Sequence, residues 1–233
     1  MTLEDLIASF RVDADDVPTS VRGGERDLLW KDAELARFFG EAEEEAAIRK
    51  RLLFDDYTES IVQIAVVPRQ SSYPLDPRMF EVTKARLLAT PNGAWIRDLH
   101  ITTRDELDAV SPGWRDREGQ PSHFIQDDTR AVLPGIVNGA YTLRLEGYRT
   151  PLSPITEESD GSTRPEIASI HHRFLVHWVL HRAYSKPDSE TLNPQKSALA
   201  LAAFEDYFGR RPDADLRKDW QASQLHHNKA WLI

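Results

Sequence analysis

The chain of 233 residues has no cysteine. That excludes disulfides, thiolate metal sites and cysteine nucleophiles together. No stretch approaches the roughly 18 or more apolar residues of a membrane-spanning helix, so no membrane partner is expected. An excess of basic charge is also missing. Lys and Arg number 29 against 38 Asp and Glu, and the net charge of −9 argues against tight wrapping of nucleic acid, which draws on clustered cations. Catalytic signatures are sparse. No Gly-x-Ser-x-Gly elbow occurs, Gly23-Gly24 lacks the Gly-Lys-Ser/Thr of a phosphate loop, and there is no Gly-x-Gly-x-x-Gly. No internal repeat is visible. The start, Met1-Thr2-Leu3-Glu4-Asp5, is acidic, unlike the basic start of a signal peptide, so a cytoplasmic, soluble product is expected. These absences favour a structural or binding role over an enzyme, with no cofactor and no bound metal.

The stretch Thr163–Gly209 reads as a helical hairpin. Thr163 and Glu166 offer a capping box and Pro165 suits a first turn. Ile167, Ile170, Phe174 and Trp178 follow at helical spacing, widened by Leu175 and Val179, with Ser169, Arg173, His177 and His181 as a polar stripe. Pro187 breaks the helix. A second helix starts at Asn193-Pro194, carries Leu201, Phe204 and Phe208, and ends at Gly209 in a left-handed cap.

Upstream, Thr2 to Phe10 predicts a short amphipathic helix with Thr2 and Asp5 as capping pair, and Asp13 to Gly24 a loop. A second helix is expected from about Asp32 to Leu53, burying Leu35, Phe38, Phe39, Ala42 and Ala46. Beside that stripe Glu41, Glu43, Glu44 and Glu45 form an acidic run, which is either a solvated helix face or an acidic surface in an assembly or channel. The period then changes. Ser60–Val67, Val82–Leu88, Trp95–Ile101, His123–Gln126, Arg130–Leu133 and Tyr141–Tyr148 are strand candidates. Asn92-Gly93 is a hairpin turn signal, and Thr103–Val110 a short helix with Thr103 and Glu106 as a capping box. The alternation of Tyr141, Leu143 and Leu145 with Thr142, Arg144 and Glu146 implies a half-buried, antiparallel sheet.

The expected fold class is α+β: a discontinuous helical bundle (1–56 and 151–209), an inserted antiparallel β domain (57–150) and an extended C-terminal arm (210–233). The arm mixes charges with Trp220, Leu225, Trp231, Leu232 and Ile233. Such apolar groups either fold back on their own helices or bind a neighbour, and they are the candidate interface residues. His177 and His181 stand at the i, i+4 spacing of a zinc site, but the intervening Trp178-Val179-Leu180 lacks the metalloprotease glutamate. A polar stripe on a packed helix is the favoured reading of them, as solvation is of Asp55-Asp56 and Asp127-Asp128.

Several stretches in this order resemble tailed-bacteriophage head-to-tail adaptors, also called connector, gateway or tail tubular A-like proteins. These are Thr2-Leu3-Glu4-Asp5-Leu6-Ile7 with Leu29-Trp30-Lys31-Asp32-Ala33-Glu34-Leu35, then Gly113-Trp114 with Gly119-Gln120-Pro121, then Pro165-Glu166-Ile167 with His171-His172. Arg182–Asp188, Lys196 and Phe204–Phe208 complete the set. The resemblance spans about residues 1–209 and leaves the tail after Arg211 outside. Lys31 stands where a Ser or Thr cap is more usual. The resemblance implies a non-enzymatic virion protein that forms a ring of about twelve copies beneath the portal protein. Its other face meets the tail tube or nozzle protein, and the viral DNA passes through. An acidic channel face would repel the DNA phosphates and let the duplex slide, and the run Glu41, Glu43, Glu44 and Glu45 could supply it; assembly in the host cytoplasm is expected. The alternatives are a helical scaffold module outside any virus and a His-dependent metal enzyme.

Overall fold

A computed structural model describes residues 1–17, 28–188 and 190–212. They divide into two compact units, Met1–Leu53 with Thr150–Arg211, and Phe54–Arg149. The fold is α+β.

The helical unit is built from α1 (Leu3–Ala14), α2 (Asp32–Lys50), α5 (His172–Tyr184) and α6 (Pro194–Phe208). Helix α1 starts where its sequence says, in a complete Thr2–Asp5 capping box. It runs to Ala14, beyond the expected Phe10, and ends in a left-handed residue at Asp15. The α1–α2 corner explains the Trp-x-Asp spacing. Trp30 is buried edge-on between Phe10 and Tyr184, and the Arg11 guanidinium donates to the Trp30 carbonyl, to Asp16 at 2.7 Å and to Asp32 at 2.5 Å. Lys31 supplies no side-chain cap, so this Arg11 clamp takes over the task of fixing the helix start. Helix α2 ends at Lys50, three residues short of the expected Leu53. In its interior Gly40 faces the Ile155 carbonyl so closely that any Cβ would collide with it.

The start of the hairpin differs from expectation. Residues 163–168 are not helical; a 3-10 turn at Ser169–His171 leads into α5. The reason is competition for N–H groups. Glu43 in α2 accepts from the backbone N–H of Glu166 and of Ile167, while the Glu166 carboxylate accepts from the Leu152 N–H and not from its own helix. The buried stripe of α5 is accordingly Leu175, Val176, Val179 and Ala183, with Phe174 and Trp178 half-buried and Ile170 exposed. The end at Ser185 and the Asn193–Pro194 start of α6, with Asn193 capping the Lys196 N–H, follow the sequence. Gly209 ends α6 with positive φ but extended ψ, not the left-handed cap expected.

The second unit contains β1 (Phe54–Asp55), α3 (Glu59–Val62), β2 (Gln63–Val66), β3 (Ser72–Pro74), β4 (Met79–Ala89) and β5 (Trp95–Ile101). Then follow α4 (Arg104–Val110), β6 (Glu118–Gly119), β7 (His123–Gln126), β8 (Arg130–Val132), β9 (Ile136–Val137) and β10 (Tyr141–Arg149). The large sheet runs β1-β10-β4-β5-β7-β8-β3, with β2 also on β10. Its pairs are antiparallel except β5–β7, so the sheet is not purely antiparallel. The predicted alternation along β10 holds: Leu143 and Leu145 are buried, while Thr142, Arg144 and Glu146 are half-exposed. Part of the strand expected at Ser60–Val67 is the helical turn α3, because the Asp55 carboxylate accepts the Tyr57 and Thr58 N–H groups and turns the chain there. Thr103 caps α4, but Glu106 bonds the Thr102 hydroxyl instead of closing the box.

Candidate assembly surface

Helix α6 buries Ser197, Ala200, Phe204 and Phe208. It is pinned to α5 by Trp178 against Phe204 and by Phe174 stacked on Tyr207 with centroids 3.5 Å apart. Ser197 bonds His181 Nδ1 at 2.9 Å. Helix α2 holds the same hairpin through Arg49, whose guanidinium lies over Trp178 and Phe204 and pairs with Glu45 and Glu205. This packing turns Leu192, Ala198, Leu199 and Ala202 outward, and all four are exposed. Leu199 keeps 73% of its surface and Leu192 52%. Between Lys196 and Glu205 the helix has no charged residue. A helix apolar on its outward face as well as its inward one is normally covered on both. The sequence reading missed this surface, since Leu201 and Phe204 were seen only as an inner stripe. The clue was the uncharged run Ser197–Phe204.

The acidic run in α2 is mostly committed to the fold. Glu41 pairs with Arg182 at 2.9 Å, and Glu45 with Arg49 and Arg211. Glu43 is a correction to the expected acidic surface: it is fully buried and lines nothing outside. It faces inward because the turn leading to α5 needs an acceptor for two N–H groups. Burial pushes its carboxyl up to about 7, with the neighbouring Glu166 charge adding to the rise and the two N–H bonds opposing it. Only Glu44 of the four is exposed.

His177 and His181 do not converge on a shared ligand: His181 is tied to Ser197, and His177 lines a groove between α1 and α5. Among the described residues no three His, Asp or Glu side chains stand together as a metal site. Neither acidic pair is simply solvated. Asp55 is fully buried and 2.6 Å from the Arg149 guanidinium, and Asp127 takes a two-pronged bond from Arg104. In the β unit, Trp114 donates to Asp108 and packs on the small cluster of Leu107, Ile125 and Val132. The exposed Trp95 donates to Asp98. The five arm residues Trp220, Leu225, Trp231, Leu232 and Ile233 lie outside the described residues. Among those that are described, no helix is long and apolar enough to cross a membrane.

A helical unit interrupted by a β unit, with Glu41, Glu43 and Glu45 of α2 paired or buried and α6 uncharged between Lys196 and Glu205, fits a structural assembly component. The chain belongs to the SU10 adaptor protein family, whose model matches residues 1–226. It is thus a bacteriophage structural protein of the head-to-tail adaptor class. The match runs past Arg211 and takes in Trp220 and Leu225, further than the resemblance over residues 1–209. No curated protein matches the chain.

Proposed function

We propose that the protein joins capsid to tail as a ring bound beneath the portal protein, with the tail tube or nozzle protein on its other side and viral DNA passing through the middle. The observation that carries this reading is the uncovered apolar face of α6 in a chain of a phage adaptor family. A monomer that kept such a face in water would lose solubility for no gain, whereas an assembling subunit gains by covering it. The resemblance supports about twelve copies. The arm residues Trp220, Leu225, Trp231, Leu232 and Ile233 are the proposed anchors on the portal or on a neighbouring subunit, aromatic and apolar as buried anchors tend to be. The net charge of −9 suits a wall that repels DNA phosphates and lets the duplex slide. Within α2, Glu44 is the exposed carboxylate able to contribute to such a wall.

The test is to mix the purified protein with the portal encoded beside it and image the product by electron microscopy. An added ring of density under the portal is expected. A folded protein that leaves a competent portal bare contradicts the reading. Removing residues 216–233 should leave the melting temperature of the helical unit unchanged and abolish attachment; attachment that survives the truncation refutes the role given to the arm.

A further inference from the structure

The chain has two Asn-Gly pairs, Asn92-Gly93 in the turn between β4 and β5 and Asn138-Gly139 between β9 and β10. In such a pair the glycine nitrogen can attack the asparagine side-chain amide, because glycine has no Cβ to obstruct the approach. Both asparagines are exposed, so access to solvent does not tell them apart. Their hydrogen bonds do. The Gly93 N–H donates to the Ala89 carbonyl at 2.8 Å, and the Asn92 side-chain carbonyl is held by the Ala94 N–H. For the Gly93 nitrogen to attack, a bond that closes the hairpin has to break. The Gly139 N–H has no acceptor among the described residues. Asn138 Oδ1 accepts from the Tyr141 hydroxyl at 2.7 Å. The same hydroxyl lies against Gly139, where an added Cβ would come 3.0 Å from it. The attacking nitrogen, the amide carbonyl and a hydroxyl donor are thus gathered at one corner of the β unit.

We propose that Asn138 is a site of spontaneous covalent modification, converted to aspartate and isoaspartate through a succinimide ring, with the Tyr141 hydroxyl speeding the ring closure and Asn92 protected from it. Solvent base takes the Gly139 N–H proton, and the nitrogen forms a bond to Asn138 Cγ. Negative charge builds on Oδ1, where the Tyr141 hydroxyl already donates, and a donor aimed at a developing oxyanion stabilises it. The Cγ–Nδ2 bond then breaks, and ammonia leaves with a proton taken from solvent. Water adds to either carbonyl of the ring and opens it. One product keeps the main chain and carries a carboxylate in place of the amide. The other has an extra methylene in the main chain. It falls between the Asn138 N–H, which donates to the Gly119 carbonyl, and β10, the strand on which β1, β2 and β4 pair. The step needs no partner, so it proceeds in the free chain and does not depend on ring formation.

The test uses the purified full chain, aged in neutral buffer at physiological temperature with and without urea. Trypsin releases the two pairs in separate peptides, residues 131–144 and 87–97, and mass spectrometry reads the gain from amide to acid in each. In the folded chain the 131–144 peptide is expected to convert at least about tenfold faster than the 87–97 peptide, the worth of one hydrogen bond in the barrier. In urea the two rates should become comparable, because the fold and not the dipeptide separates them. Equal rates in the folded chain, or faster conversion of 87–97, overturn the proposal. So does a folded chain in which neither peptide converts while both do in urea, or a difference that persists unchanged in urea. These comparisons need no variant. Tyr141→Phe, checked for folding by its melting temperature, should slow conversion of 131–144 about tenfold and leave 87–97 unchanged. A folded Tyr141→Phe chain that ages at the parent's rate overturns the role given to the hydroxyl.

Discussion

On the outward face of the β sheet, charged side chains answer one another across strands: Lys84 with Asp98 at 3.3 Å, and Arg86 with Glu146. Even the exposed Trp95 spends its N–H on Asp98. Between Lys196 and Glu205 the outward face of α6 offers no such pairs, only Ala198, Leu199 and Ala202, with Leu192 exposed just before the helix. Inside, the buried carboxylates are answered to different degrees. The buried carboxylate of the β unit, Asp55, has the Arg149 guanidinium and two backbone N–H groups. Burial alone would raise its pKa, but those bonds outweigh burial and hold it below the usual carboxylate range. Of the two buried carboxylates of the helical unit, Asp16 is answered by the Arg11 guanidinium and the Leu29 N–H, whereas Glu43 has only neutral N–H donors and its second oxygen finds no partner. A polar group that is fully answered serves a finished fold.

The strongest way to break this comparison is through Asp55. Asp55→Ala takes the carboxylate from Arg149 and two acceptor bonds from the turn at Tyr57 and Thr58, so it should cost about 3–5 kcal/mol in urea unfolding followed by a signal from the β unit. A loss below about 1 kcal/mol would mean that this pair does not hold the unit together.

Glu43 sharpens the same point through pH. Its pKa in the folded chain is raised from 4.5 to about 7, so as pH rises from about 4.5 the unfolded chain loses the proton first. Stability should therefore fall between about pH 4.5 and 7 and level off above, by at most about 3 kcal/mol. Glu43→Gln keeps an acceptor for Glu166 and Ile167 and should flatten that slope. Melting temperatures across this range that fall equally in the variant would assign the slope to another group.

Lys84→Ala removes one member of an exposed pair and should change stability by less than about 1 kcal/mol. A larger cost would mean that the surface lattice of the sheet supports the fold more than its exposure allows.

Where local chemistry decides structure, the sequence could be read directly. The Thr2–Asp5 box, the Asn193–Pro194 start and the alternation along β10 each depend on neighbours in the chain. Reading failed where a distant side chain intervened. Thr163-Arg164-Pro165-Glu166 has every local mark of a helix start, yet Glu43, more than a hundred residues earlier, claims the N–H groups. The strand at Ser60 gives way to a helical turn for a nearer reason, since the Asp55 carboxylate takes the Tyr57 and Thr58 N–H groups and turns the chain just before it. The site followed the same rule in reverse. The Glu41–Glu45 run looked like a surface because its cations, Arg182 and Arg211, come from the far end of the chain. The α6 face was visible as an uncharged run, but which side of the helix faces outward depends on Phe174 and Trp178 packing against the other side.

The most direct test of the central claim, that the outward face of α6 is kept apolar for assembly and not for folding, is to measure melting temperature and ring occupancy on the portal together for Leu199→Asp. Leu199 is mostly exposed, so the account predicts a stability change within about 0.5 kcal/mol and loss of the ring. A lowered melting temperature with the ring intact would contradict it.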